Sequence, residues 1–456
     1  MKLKVVFAII VCKALRLVSR LMHRGGTAMP GRYALKICPQ LLSVLAKNVQ
    51  TVVITGTNGK TTCSRMVEEA FEREGKKYFS NRSGANLIDG ITTEFVINSS
   101  LSGKNRCDYA VIECDEAASV RVFAQMQPKV IVVTNLFRDQ LDRFGDLAHT
   151  RDSIKKAIGS VPTATLCLNA DCSLTSSLAD DMPNRVLYFG MNRGAAPNKE
   201  KAEISDGDIC IRCGHEYEFE YINFGHLGGF FCPNCGHRRP EADFAVVDIA
   251  HQSTEGSSIV MDMQGERRMV TVNLPAMYNI YNAAAACAAV CAMGMDKDAA
   301  VQALSGFKCG FGRMEQFDIG AGARMMLVKN PTGCNLVMEF LSNIKERFSL
   351  VISLNDRTGD GKDISWIWDT DFEQLTALSG RIKSLVVSGD RAEEMRLRLK
   401  YAGFDENAIV TERDCEKLVE WMKGEDCPVF IMPTYSAMLD IRQVIVKHCG
   451  GSEFWE

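Results

Sequence analysis

The sequence has no strong charge of either sign, no low-complexity segment and no long-period internal repeat. Its formal net charge is −3 over 456 residues. That balance gives no global attraction to nucleic acid or anionic lipid, so any such binding must come from a local patch. A long hydrophobic run is also missing from the start of the chain. The opening MKLKVVFAIIVCKALRLVSRLMHRGG is apolar only from Val5 to Cys12, is broken by Lys13, and continues as a basic amphipathic pattern with Arg16, Arg20 and Arg24. The run is too short to span a bilayer. It suits a helix packed on its own domain, a helix that also touches membrane, or a cleaved signal, and the sequence does not separate the first two.

A hydrophobic fraction of 46% and a charged fraction of 24% are ordinary for a folded protein, and the length calls for two or three domains. Eighteen cysteines are many, yet a chain this long needs no disulfide staples, and most of the cysteines sit singly in apolar runs. A reducing cytoplasm fits that usage.

From about residue 46 the pattern is α/β. TVVITG, YAVIECD, KVIVVTNL and TATLCLNA are nearly continuous β-branched runs separated by helical segments, as expected for strands covered on both faces of a parallel sheet. After a Cys-, Gly- and aromatic-rich stretch at 205–240, a strand leads into the alanine-rich NIYNAAAACAAVCAMG, which must pack closely because its side chains are small. A boundary is expected near GFKCGFGRMEQF. Beyond Met314, RMMLVKNP, FSLVISLND, IKSLVVSGD and CPVFIMPT give a second α/β domain.

The segment VVITGTNGKTTCSRM reads as a strand, a glycine turn and a helix start. Backbone N–H groups of such a turn form an anion cradle, a lysine at its mouth neutralises outer phosphates, and a hydroxyl after the lysine suits Mg²⁺. Gly56, Thr57, Asn58, Gly59, Lys60, Thr61 and Thr62 are the candidate residues. Ile54 stands where the strict pattern has its first glycine. Glu113, ending a predicted strand, is placed to contribute a hard oxygen to Mg²⁺, as are Asn135, Asp139 and Asp142. Asp139 also reads as a helix cap.

Cys210, Cys213, Cys232 and Cys235 form two C-x-x-C pairs, each followed by Gly-His. Four thiolates at this spacing suit a closed tetrahedral Zn²⁺ site on a ribbon hairpin, with a structural role. No basic-aromatic stripe accompanies it, so nucleic acid is not expected as a partner. His215 and His237 read as solvated, and no other thiol has an evident histidine partner.

GTNGKTT, the strand ending in Glu113, TNLFRDQLDRFG, YNIYNAAAA and GFGRME follow in order the pattern of the Mur ligase superfamily, the ATP-dependent amide-forming enzymes of peptidoglycan synthesis. The resemblance implies that Lys60 and Thr61 bind ATP and Mg²⁺, that Glu113 binds Mg²⁺, and that Asn282 and Arg313 lie near the nucleotide. Two departures stand out: Gln140 replaces the usual histidine, and the lysine that many relatives carbamylate has no counterpart. With the four-cysteine insert and NDRTGDGKDISWIWD, the chain resembles the MurT family, Mur-ligase-like synthetase subunits of lipid II isoglutaminyl synthase. Three domains follow: an N-terminal helical segment (1–45), an ATP-binding middle domain with a zinc-ribbon insert (46–313, insert 205–240) and a C-terminal α/β domain (314–456).

That resemblance implies a GatD-type class I glutaminase partner, with Asp363 offered across the interface to orient the histidine of the partner's Cys-His pair. It also implies a lipid II substrate at the membrane surface, amidated through an acyl phosphate, in a protein that is cytoplasmic or peripheral at the inner face of the membrane. The rival readings are a free-standing Mur- or folylpolyglutamate-type amino acid ligase and a non-catalytic zinc-ribbon interaction protein.

Overall fold

A computed structural model describes residues 2–22, 27–81, 85–138, 147–196, 207–253, 255–307 and 313–450. The chain separates into two compact units, one built from Met1–Phe137 and Asp146–Phe307, the other from Lys308 onward.

The first unit is organised by a nine-stranded sheet of order β11-β10-β9-β6-β5-β4-β1-β3-β2. Its central strands are β1 (Gln50–Thr55), β3 (Tyr109–Glu113), β4 (Val130–Val133), β5 (Thr165–Asn169) and β6 (Val186–Met191), with short β2 (Tyr78–Ser80) at one edge. These strands pair in parallel, and Val52, Val53, Ile54, Val111, Ile112 and Val130–Val133 are fully buried. Both faces are covered, which is why the sequence shows continuous apolar runs there.

The expected parallel strands are all present, and the sheet continues at its far edge with antiparallel ones. β9 (Phe244–Gln252), β10 (Ser257–Met263) and β11 (Glu266–Val272) form an antiparallel meander, joined to the parallel part through β6 and β9. Burial alternates along β10, so one face is more open and the continuous-run signal is lost there.

Helices α1 (Lys2–Leu21), α2 (Met29–Ile37), α3 (Leu41–Ala46), α4 (Lys60–Arg73) and α5 (Ile88–Ile97) belong to this unit. α1 packs on α2 and α5 through Val5, Ala8, Ile9 and Cys12. The alanine-rich helix Met277–Ala292 packs against α4, β5 and β6, with Ala283 to Ala289 buried. Small side chains let the backbones approach.

A buried polar hub ties the cysteine-rich insert to this sheet. Asp171, just beyond β5, is fully buried; its carboxylate accepts from Arg239 Nε (2.7 Å), Tyr281 Oη (2.6 Å) and the Met191 amide (2.9 Å). Burial pushes the Tyr281 phenol well up, and the nearby Asp171 charge adds to that, so it stays a donor.

In the second unit the sheet order is β12-β13-β17-β14-β15-β16, comprising β12 (Arg313–Phe317), β13 (Ala323–Met326), β14 (Phe348–Ser353), β15 (Ile382–Ser388), β16 (Ile409–Thr411) and β17 (Val429–Pro433). All pairs are parallel except β12 with β13. Its core includes Met325, Val351, Ile431, Leu418 and Ile441.

Asp171→Ala should strand Arg239 and Tyr281 in a dry interior and cost about 3–5 kcal/mol. Chemical denaturation of the variant beside the parent measures this, and a loss below 1 kcal/mol would show the hub to be dispensable.

Candidate functional site

β1 ends at Thr55 and α4 begins at Lys60, so four residues make the turn between them. Gly56 (φ 119°) and Gly59 (φ 87°) lie in the left-handed region. A Cβ on Gly59 would stand 2.0 Å from Asn282 Oδ1, and one on Gly56 would stand 2.8 Å from the Asn135 carbonyl oxygen. Conformation and space both demand glycine here. Asn282, reached from far along the sequence, is thereby brought directly against the turn.

The turn is braced by the segment after β4. The Thr57 and Asn58 amides donate to the Asn135 carbonyl (2.9 Å) and to Asn135 Oδ1 (2.9 Å). Thr134 Oγ1 (2.7 Å) and Asn135 Nδ2 (3.1 Å) both donate to the Asn58 carbonyl. Thr57 Oγ1 donates to the Phe137 carbonyl and accepts from the Phe137 amide. Thr57, Asn58 and the Asn135 amide group thus shape the loop, while the side chains of Lys60 and Thr61 carry its charge and hydroxyl chemistry.

Lys60 Nζ lies 2.8 Å from Glu116 Oε1 and also donates to the Gly56 carbonyl (2.6 Å); both partners of the ion pair are buried. Thr61 Oγ1 donates to Glu113 Oε2 at 2.7 Å. One cation, one hydroxyl and two carboxylates therefore meet at the carboxyl end of β1, where the sheet order turns back and β3 and β4 flank it. Open α/β sheets bind ligands at such a crevice, and an α-helix N-terminus adds a favourable field for anions. Thr61 Oγ1 and the Glu113 carboxylate are hard oxygens of the kind that Mg²⁺ takes. Thr62 is buried on α4.

Two residues of this cluster escaped the sequence reading. Glu116 is the second glutamate of ECDE, a signal that was available. Asn81 follows the three-residue β2; its side chain accepts from the Glu113 amide (2.9 Å) and donates to the Glu113 carbonyl (2.7 Å), fixing the strand end that carries the carboxylate. A lone asparagine after so short a strand gives no sequence signal. Asp139, Gln140, Asp142 and the Arg313 side chain lie outside the described residues.

The four cysteines converge. Their sulfurs all lie within 4.8 Å of one another, with Cys210–Cys235 and Cys213–Cys232 at 3.5 Å. The two knuckles are copies: the Cys210 and Cys232 amides donate to the His215 and His237 carbonyls, and the Gly214 and Gly236 amides donate back to the carbonyls of Cys210 and Cys232. They flank the hairpin of β7 (Glu218–Phe224) and β8 (Leu227–Phe231). A hydrogen bond from Asn234 brings the Cys213 thiol down to about 6. Cys235 is drawn down by the His237 amide, but burial and its sulfur neighbours push it up to about 12. Four thiolates this close repel, and a dication relieves that repulsion. The donor set and spacing fit Zn²⁺.

Two histidine expectations need correction. His215 is exposed, but His237 is buried, with Nδ1 2.7 Å from Tyr217 Oη and its ring against Phe230. Burial, then the Arg212 charge, lowers its basicity, so it remains a neutral core member of the ribbon. Cys172 does have a histidine partner, His226 Nε2 at 3.4 Å. Burial opposes ionisation of this thiol, but the His226 charge and hydrogen bond outweigh that and leave it below its ordinary value. Both side chains are buried, and the His226 ring packs on Phe137. The pair binds the ribbon hairpin to the sheet and presents no open nucleophile.

The Mur ligase middle domain model matches residues 54–235, and the MurT ligase C-terminal model matches residues 327–438. The lipid II isoglutaminyl synthase (glutamine-hydrolyzing) subunit MurT of Streptococcus pneumoniae is 35% identical over 450 residues, 98% of this chain and 98% of that protein. The chain belongs to the MurT family. The MurT subunit of Staphylococcus aureus strain COL is 33% identical over 452 residues, 98% of this chain and 99% of that protein. Among solved structures, a pseudomurein peptide ligase type C from Methanothermus fervidus aligns with a TM-score of 0.66 at 21% identity, covering 88% of this chain and 79% of that one. Folylpolyglutamate synthase of Mycobacterium tuberculosis, complexed with ADP and AMPPCP, aligns at 0.64 with 14% identity, over 97% and 99%. These two show a shared fold.

Within the MurT C-terminal region, the loop after β14 gives Asp360 and Asp363 different roles. Asp360 is buried; it accepts from the Ser436 amide (2.6 Å) and the Arg357 amide (3.1 Å), anchoring the loop to the start of the helix Tyr435–Cys449. Gly361 turns the chain at φ 88°. Asp363 is half-exposed, and its Oδ1 accepts from the Ser365 amide at 2.8 Å. Hydrogen bonding from the Ser365 side chain, then its amide, holds the Asp363 carboxyl below the usual range. It is thus an ionised acceptor whose direction is fixed by its neighbour.

Metal analysis of the purified chain should give one zinc per molecule. Cys210→Ser should release it and lower stability severely, since ribbon-type metal binding contributes on the order of 10 kcal/mol to folding. Unchanged zinc content in the variant would remove the metal assignment.

Proposed function

We propose that this chain is the synthetase subunit of a lipid II isoglutaminyl synthase. In this reading, ATP phosphorylates the α-carboxyl of D-isoglutamate in the lipid II stem peptide. Ammonia released from glutamine by a GatD-type partner then displaces phosphate, leaving D-isoglutamine, ADP and phosphate. The observation that carries the reading is the Lys60, Thr61, Glu113 and Glu116 constellation at the glycine turn of a MurT-family chain. The near full-length match to named MurT subunits favours it over a free-standing amino acid ligase.

The chemistry matches the residues. Oxide is a poor leaving group and phosphate a good one, so activation must precede amide formation. Lys60 leaves Glu116 to meet the outer phosphates, and its charge offsets what develops during transfer. The amides at the α4 N-terminus hold the phosphates, those of Thr57 and Asn58 being engaged by Asn135, and Asn282 flanks the nucleotide. Mg²⁺, held by Thr61 and Glu113, supplies Lewis-acid neutralisation at the phosphates when bound. Ammonia is small and needs no second amino acid pocket.

Asp363 acts in the partner's half of the reaction. A carboxylate fixed by Ser365 can hold a histidine in the tautomer that deprotonates a thiol. No described helix is long and apolar enough to cross a membrane. In this reading the chain meets its lipid-borne substrate peripherally, at the inner face of the membrane.

With the partner, glutamine, ATP and lipid II present, Lys60→Ala should reduce amidation by at least a thousandfold with either nitrogen source. Asp363→Asn should abolish glutamine-dependent amidation while ammonium-dependent amidation stays within about twofold of the parent. Mass spectrometry of the stem peptide reads both. Intact glutamine use by Asp363→Asn would refute the role given to that residue.

A further inference from the structure

Helix α1 buries one side and leaves an apolar stripe on the other. Val5, Ala8, Ile9 and Cys12 face the protein, whereas Leu3 (88% exposed), Phe7 (58%), Ile10 (46%), Leu17 (62%), Val18 (51%) and Leu21 (72%) face solvent. At about 3.6 residues per turn, these positions fall on one face, opposite the buried one, over a length of about 27 Å. The helix is therefore apolar on two sides, and among the described residues only one of them is covered. Exposed stripes of this size in folded proteins mark contact surfaces.

Charge decides the partner. Between Met1 and Arg24 the sequence holds six lysines and arginines and no acidic residue, and its first carboxylate is Glu68. Lys2 and Arg20 border the stripe on one side and Lys4 on the other, and all three are exposed. The protein as a whole is slightly acidic, so this concentration is local. An apolar face rimmed by cations suits an anionic bilayer surface: the stripe enters the acyl boundary and the cations meet headgroup phosphates.

We propose that the outer face of α1 docks the protein in the plane of an anionic membrane. The helix lies on the bilayer and does not cross it, consistent with its interrupted apolar sequence. The assignment rests on the helix itself and is independent of the reaction assigned to the phosphate site.

The test is co-sedimentation of the full-length protein with vesicles of equal phosphatidylglycerol and phosphatidylcholine, against vesicles of phosphatidylcholine alone. Binding is expected to the anionic vesicles only, and to weaken as salt is raised. Phe7→Gln/Leu17→Gln and, separately, Lys4→Glu/Arg20→Glu should each weaken binding about tenfold or more, with Tm unchanged because these side chains face solvent. Wild-type protein that stays in the supernatant, or variants that sediment equally, would overturn the proposal. So would self-association of the wild type without lipid, lost in the apolar variant, which would make the stripe a contact between copies. Vesicle binding that persists while lipid II amidation fails would count against the catalytic reading and leave this one standing.

Discussion

A buried lysine has to be held next to a turn that only glycine can make, and much of the first unit is arranged around that requirement. Lys60 is poised by Glu116 and the Gly56 carbonyl. The turn is closed on one side by Asn282 and on the other by the Thr134–Phe137 segment. An ammonium in so dry a place is tolerable only with a carboxylate beside it. The same pairing keeps the charge available for an incoming anion that can replace the carboxylate. The parallel strands supply the rigid platform, and Asn81 fixes the end of the strand that carries Glu113.

The ribbon insert is coupled to this platform. Arg239 and Asn223 of the insert and Tyr281 of the alanine-rich helix all reach Asp171 beyond β5. Tyr281 adjoins Asn282 in sequence, so the helix that closes the phosphate turn is anchored by the same hub. The four-sulfur site, the neutral His237 core and the Cys172–His226 contact thus support the position of a helix used at the turn. The cysteine module is structural in a specific sense, because its contacts with Asp171 brace one wall of the candidate site.

Much of this was legible in the sequence for physical reasons. Strands covered on both faces must be apolar throughout, so β1, β3, β4 and β5 stood out, whereas the half-open β10 did not. The glycine turn, Lys60, Thr61 and the cysteine knuckles are local patterns whose chemistry depends on spacing along the chain. Glu116 and Asn81 act through tertiary placement, and the Cys172–His226 contact joins residues 54 apart. The burial of His237 was missed because its place inside a ribbon core depends on the folded hairpin. The two faces of α1 were also beyond the sequence, since amphipathic patterning alone does not say which apolar side the protein covers.

The most direct test is a crystal structure with a non-hydrolysable ATP analogue and magnesium. The account predicts the terminal phosphate within hydrogen-bonding distance of Lys60 Nζ, the Lys60–Glu116 pair opened, and the metal on Thr61 and Glu113. Nucleotide bound elsewhere, with that ion pair still closed, would contradict it.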